Sequence, residues 1–247
     1  MPSISFKPPF IAHRGASNFA PENTLAAFSK VKELGAKWIE FDVVLAASGE
    51  AIVFHDDTLD RTTNGKGNVW DFPYSYLKTL DAGSWFSPEF SGERIPTFKS
   101  VIEVVERDKL TANVEIKPAP GQEEATVKKV LSEIELYWTD AMLPPLISSF
   151  SVESLRLVRQ FAPGAMIGLL IHEWFDDWES VAVELRATSV NLNHEIVDAE
   201  KVKVIHAMGK LVVCYTVNDP ERARELFAWG VDAVFTDHVD LMMLGEG

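Results

Sequence analysis

The feature that most limits what this chain can become is a regular alternation of short apolar runs with longer stretches of helical periodicity, sustained over most of its length. Phe10-Ile11-Ala12 predicts a first strand, followed by a helix over Leu25 to Leu34 capped by Asn23 or Thr24. Trp38 to Val43 predicts the next strand. After an interruption, a helix near Ser100 to Arg107 leads into Ala112 to Ile116, and a helix over Glu124 to Leu136 leads into Leu146 to Phe150. Helices over Val152 to Gln160, Asp177 to Arg186, Ala199 to Met208 and Pro220 to Trp229 precede strands at Met166 to Ile171, Ser189 to Leu192, Leu211 to Thr216 and Asp232 to Phe235. A last short helix is expected around Val239 to Leu244. Gly35, Gly164, Gly209 and Gly230 fall where a helix must stop before the next strand.

Eight strand–helix units imply parallel strands joined by right-handed crossovers, and eight such units close into a (β/α)8 TIM barrel. A chain of 247 residues suits one such domain, spanning 1–247. A doubly wound open sheet is the alternative, but no Gly-rich dinucleotide fingerprint follows the first strand. Ala51 to His55 also reads as a strand. Only Leu45 to Glu50 separates it from its predecessor, which is too short for a crossover and suits an antiparallel hairpin turning at Ser48-Gly49. Residues 56–96 then interrupt the alternation with many aromatics, among them Trp70, Phe72, Trp85, Phe86 and Phe90. A disordered linker would be poor in these, so the segment predicts a folded insertion on the same barrel face as the hairpin.

Charge and cysteine content exclude several classes of function. The net charge of -14 repels nucleic acid and anionic membranes, and no run of Lys and Arg offsets it. No nucleic-acid partner and no stable membrane association are expected. Cys214 is the only cysteine, so no intrachain disulfide can form, and it sits in an apolar run as a small buried hydrophobe. No apolar stretch resembles a signal sequence or a membrane span, and the chain reads as cytoplasmic.

Catalytic groups of such barrels sit at strand C-termini and in the loops that follow. Those positions gather His13 and Arg14, Glu40 and Asp42, His55, and Glu115 with Lys117. Further strand ends contribute Ser148 to Phe150, Asn191, Asn193, Thr216, Asn218, Thr236 and Asp237. Glu40 and Asp42 lie two apart on a strand and therefore share a face, as do Glu115 and Lys117. Three carboxylates cannot ionise together unpaired. A hard divalent cation resolves that, and Mg²⁺ suits a few carboxylates with waters and a phosphate. Structural salt bridges to Arg14 and Lys117 are the competing explanation. His172, His194, His206 and His238 read as packing or surface residues, with His194, after a strand end, the one of them placed to touch substrate; Asp56, Asp57 and Asp60 read as a solvated acidic turn, with extension of the metal site as the alternative.

These residues carry a resemblance. His13-Arg14-Gly15-Ala16 with Ala20-Pro21-Glu22-Asn23-Thr24 resembles the opening signature of bacterial glycerophosphodiester phosphodiesterases. The match continues through Ile39 to Val43, Val53 to Asp56, Arg61 to Gly65, Leu80 to Trp85 and Asn113 to Lys117. It ends with Tyr215 to Asn218 and Phe235 to Asp237. The pattern is similar to the cytosolic branch associated with glycerol-phosphate uptake. The resemblance implies Glu40, Asp42 and Glu115 as ligands of one divalent metal ion, Mg²⁺ with Ca²⁺ able to take its place. It implies His13 and His55 as the acid–base pair, and Arg14 and Lys117 as phosphate contacts. Glu22 would buttress Arg14, and Asn23 would cap the first helix.

The reaction so implied is hydrolysis of a small-molecule glycerophosphodiester to sn-glycerol 3-phosphate and an alcohol. His13 is assigned as base and His55 as acid. The nucleophile is water or the substrate's own glycerol hydroxyl acting through a cyclic phosphate. The insertion's aromatics are expected to roof the mouth, with Trp85 and Phe86 as the candidates for touching substrate and packing within the insertion's own core as the favoured alternative for them. A phospholipase D-like or phosphatidylinositol-specific phospholipase C-like activity on the same barrel is the alternative within enzymes. A non-catalytic phosphodiester-binding protein would be expected to have lost a histidine or a ligand, and all are present.

Overall fold

The structure is a computed structural model and describes residues 4–240. Its strands are β1 (Phe10–Ala12), β2 (Trp38–Leu45), β3 (Ala51–Val53), β4 (Thr111–Ile116), β5 (Leu146–Ser149), β6 (Met166–Ile171), β7 (Ser189–Asn193), β8 (Leu211–Tyr215) and β9 (Ala233–Thr236). They follow the order β1-β9-β8-β7-β6-β5-β4-β2, and β1 also pairs with β2. The sheet therefore closes on itself as a barrel of eight parallel strands, the (β/α)8 architecture expected from the alternation. Closure leaves no exposed strand edge on the barrel itself.

The remaining strand, β3, pairs antiparallel with the end of β2, matching Val43 with Val53 and Leu45 with Ala51. This is the hairpin that the short connection required. It stops at Val53, two residues earlier than expected, and Phe54 instead donates its N–H to the Asp42 carbonyl at 3.0 Å. His55 is thereby carried off the strand and back over the end of β2.

Helices α1 (Leu25–Glu33), α3 (Phe98–Asp108), α4 (Glu123–Tyr137), α5 (Val152–Phe161), α6 (Trp178–Glu184), α7 (Ala199–Ala207) and α8 (Pro220–Trp229) alternate with the strands, and α2 (Tyr74–Leu77) lies within the insertion. The apolar faces of the long helices pack on the strands in one continuous core that includes Phe28, Phe41, Phe98, Val130, Leu155 and Ile205. Several caps fix the boundaries. Thr97 accepts from the Ser100 N–H and starts α3 earlier than periodicity alone suggests. Gly230 ends α8 at φ 100°, a left-handed cap that favours glycine. Gly164 plays no such part, because α5 ends at Ala162, whose N–H bonds the Val158 carbonyl. Of the expected final helix, Val239 and Asp240 are helical and the rest lies outside the described residues. Cys214 is fully buried.

Segment 56–96 folds around a small core of its own. Leu59, Val69, Leu77, Leu80 and Ile95 pack against Val44, Ile52 and Phe54 of the β2–β3 hairpin. The hairpin is thus the pedestal on which the insertion stands, at the C-terminal end of the barrel strands.

Candidate active site

The register of β2 against β4 builds the centre of the site. Glu40 stands beside Asn113 and Asp42 beside Glu115, so four polar side chains from two adjacent strands share the inward face. All four are buried, and each of Glu40, Asp42 and Glu115 offers an oxygen within 4.8 Å of the other two. The loop after β1 closes over them. Arg14 takes a left-handed backbone, φ 55°, and this turns its N–H onto a Glu40 oxygen at 2.9 Å. Gly15 follows at φ 83°, and a Cβ there would lie 2.8 Å from that of Ala27, so the close approach of this loop to α1 requires glycine.

The cations around the carboxylates are unevenly shared. Arg14 Nε lies 3.7 Å and Lys117 Nζ 3.8 Å from opposite oxygens of Asp42. Although burial acts to raise it, Asp42 is held below the ordinary range by Lys117 and Arg14. Glu40 and Glu115 form no ion pair among the described residues. Burial, then the charge of Asp42, pushes Glu40 well above the ordinary glutamate range and Glu115 up to about 8. Oε1 of Glu40 is buried with no hydrogen-bond partner. The salt-bridge explanation accounts for Asp42 and leaves the other two carboxylates uncompensated, whereas a divalent cation among the three fits the donor set. A second acidic group, Glu22, His55 and Asp56, is equally compact. It is already neutralised by Arg14 and Arg61, so it has no comparable excess of charge.

Two histidines flank the carboxylates, each backed by an aspartate on Nδ1. His13 meets Asp237, just after β9, at 2.8 Å, and His55 meets Asp56 at 2.6 Å. In both cases Nε2 is left as the ring nitrogen free for chemistry. Asp237 also accepts from Ser17 at 2.9 Å and from the Asn218 side-chain amide at 2.7 Å. Against the effect of burial, its contact with His13 holds the Asp237 carboxyl well below the usual range. Asp56 is tied instead to Arg61, which spans Asp56 and Glu22 with two hydrogen bonds to each. Glu22 in turn accepts from Arg14 at 2.8 Å. One chain of charged contacts therefore runs from Arg14 to His55. Burial, with Arg14 and Lys117, lowers the His55 pKa against the opposing pull of Asp42.

These groups open into a cleft of about 240 Å³ lined by His13, Arg14, Glu40, Asp42, His55 and Glu115 on its polar side. Phe150, Leu170, Tyr215 and Phe235 form the apolar side. Phe150 and Tyr215 meet edge to face at 5.7 Å, and the Tyr215 hydroxyl donates to the Ile171 carbonyl at 2.9 Å.

The structure thus brings together every residue expected at the carboxylate and histidine centre, with Lys117 at its edge. It does not bring Trp85 and Phe86 there. No residue of 56–96 lines the cleft, and Trp85 borders a separate one with Thr63, Asn64, Asp81 and Ser84. The reason is local: Trp85 donates to the Ala82 carbonyl and stacks edge-on against Phe86, which does the same against Phe90. Asn23 also differs from expectation. Thr24 caps α1, while Asn23, at φ 57°, donates its amide to Asp42 at 2.8 Å. Glu22 buttresses Arg14 as expected. Asp56 is a histidine partner, not part of a solvated turn, while Asp237 and Asn218, strand-end positions in the sequence, and Arg61 gain their partners only in the folded chain.

Comparison with known proteins identifies the lineage. The model of the glycerophosphoryl diester phosphodiesterase family matches residues 13–241. The chain belongs to this family. A glycerophosphodiester phosphodiesterase of Caldanaerobacter subterraneus is 38% identical over 94% of this chain and 95% of its own. One of Bacillus subtilis is 34% identical over 94% of this chain and 84% of its own. Among solved structures, an Oleispira antarctica phosphodiesterase in complex with the product sn-glycerol-3-phosphate superposes with a TM-score of 0.93. It is 36% identical and is covered to 96%, as is this chain. Phosphodiesterase chemistry is therefore the setting in which the cleft is to be understood.

Proposed function

We propose that this chain hydrolyses small glycerophosphodiesters to sn-glycerol 3-phosphate and the free alcohol, in the cytoplasm and as one catalytic unit in which 56–96 elaborates the barrel. The observation that carries this reading is the clustering of three buried carboxylates, Glu40, Asp42 and Glu115, in one cleft with two aspartate-backed histidines and two cations. Those three carboxylates would hold one divalent ion, with Mg²⁺ first and Ca²⁺ as a substitute. An ion held there supplies Lewis-acid stabilisation of the charge that gathers on the phosphoryl oxygens.

The chain's own groups do the rest. Arg14 and Lys117 would bind the anionic diester oxygens, reversing locally the repulsion of a -14 protein. His13 would take the proton of the attacking oxygen at Nε2, and Asp237 would stabilise the imidazolium so formed. His55 would give its proton to the departing alkoxide as the bond from phosphorus to that oxygen breaks. The charge of a bound diester offsets Arg14 and Lys117, which favours loading His55 with that proton before the step. Asn23 would hold Asp42 in place through its amide.

The test is a comparison of kcat/KM for glycerophosphocholine with that for monomeric lysophosphatidylcholine. The deacylated substrate should be strongly preferred. An equal or higher value for the lysolipid would replace this reading with a phospholipase D-like activity.

A further inference from the structure

The opposite end of the barrel, where β6, β7 and β8 begin, holds a second cleft, of about 560 Å³. Arg159, Arg186 and Lys210 line it, and no acidic residue does. They come from three successive connections: the last turn of α5, the segment after α6 and the segment after α7. The convergence is unusual in a chain with 37 acidic against 23 basic residues. Glu184, the acid nearest in sequence to Arg186, is already committed to Arg156 through bonds of 2.7 and 2.9 Å.

Part of this arrangement is explained by the fold alone. Cations are favourable at helix C-termini, where carbonyls lack partners. Arg159 serves that purpose, donating from Nε to the Leu185 carbonyl and from its two terminal nitrogens to the carbonyls of Pro163 and Arg186. Arg186 adds one bond to Pro163 and keeps most of its N–H groups free. Lys210 is different. It is half-buried, and its ammonium makes no hydrogen bond or ion pair among the described residues. Burial and the charge of Arg159 both lower its pKa, and burial and Arg186 do the same to Arg159. The fold therefore holds three mutually repelling cations together around a concavity without a counter-charge among the described residues, with Ile4, Met166 and Leu211 beside them.

We propose that this basal cleft is an anion-binding site whose ligand is a phosphomonoester dianion. Three cations favour a dianion over the singly charged diester, because the Coulomb gain doubles with ligand charge. The volume admits a small phosphorylated molecule, and the apolar residues suit its carbon portion. The site is separate from the catalytic cleft. Leu211 begins β8 at the basal end and Tyr215 ends it at the catalytic end, roughly 13 Å away along the strand. The same chemistry is offered by a free phosphomonoester and by the headgroup of a phosphatidate-containing membrane.

Titration of inorganic phosphate, and separately of sn-glycerol 3-phosphate, into ¹⁵N-labelled protein at constant ionic strength tests the site. The amide signals of Gly164, Gly209 and residue 210 should move saturably. Lys210→Gln should weaken that binding about tenfold and Lys210→Glu further, with turnover of glycerophosphodiesters at the wild-type level. The Lys210 side chain makes no hydrogen bond or ion pair among the described residues, and its backbone bond to the Ile205 carbonyl survives substitution, so both variants should stay folded. Arg186→Gly suits the positive φ of 47° at that position and gives a second charge removal. Sedimentation with phosphatidate vesicles but not neutral ones, lost in Lys210→Glu, identifies a membrane headgroup as the source. Its absence, with saturable phosphate binding, identifies a free phosphomonoester. Signals that fail to saturate, or that saturate equally in Lys210→Glu, would overturn the proposal.

Discussion

Adding Mg²⁺ to metal-free protein at pH 7 should release protons, because burial and mutual repulsion keep part of the carboxylate cluster protonated. Glu115, pushed up to about 8 by burial and by Asp42, is about nine-tenths protonated one unit below that value. Metal ligation needs the ionised carboxylate, so Glu115 alone gives up about 0.9 proton, and Glu40, also raised, adds to it. The release should be roughly one to two protons at pH 7, with the Glu115 share falling away as the pH rises past about 8. Calorimetric titration in two buffers of different ionisation enthalpy counts these protons directly. Stability carries the same signature. The folded pKa of Glu115 lies above its unfolded value of 4.5, so between that pH and about 8 the metal-free folded state binds more protons than the unfolded state. Its Tm should therefore fall as pH rises through this window, and Mg²⁺ should restore it. Binding of Mg²⁺ at pH 7 with no proton release would refute the picture of an uncompensated carboxylate cluster.

His13→Ala should lower kcat by roughly 10²–10⁴. Asp237→Asn should lower it by about 10- to 100-fold with KM little changed, the loss of one charge-assisted hydrogen bond to the imidazole. Wild-type kcat in both would remove this pair from the chemistry. Trp85→Ala should leave kcat/KM for glycerophosphocholine within about twofold, since the ring borders another cleft. A larger loss would bring the insertion back over the substrate.

The barrel was legible because closure makes its units locally similar: each buried strand is a short apolar run and each helix shows one apolar face. The carboxylates were legible too. Glu40, Asp42 and Glu115 sit on strands whose inward face is set by a period of two, so neighbouring strands suffice to bring them together. What escaped depended on contacts that no local pattern records. Asp237 reaches His13 from the far end of the chain, because β9 closes the barrel against β1. Asn23 has the residue type and position of a helix cap, yet the left-handed backbone turns it to Asp42 and leaves capping to Thr24. Nearness in sequence to His55 makes Trp85 and Phe86 candidates for the cleft, and the competing expectation, packing within the insertion, is the one the structure shows. The insertion turns these rings onto each other and builds its own core on the hairpin.

The most direct test of the central claim is ³¹P NMR of the products from glycerophosphocholine, with and without chelator. The expected result is sn-glycerol 3-phosphate with free choline, no turnover in metal-free protein, and recovery on adding Mg²⁺. Phosphocholine with glycerol as products, or full turnover in protein shown to be free of metal, would contradict it.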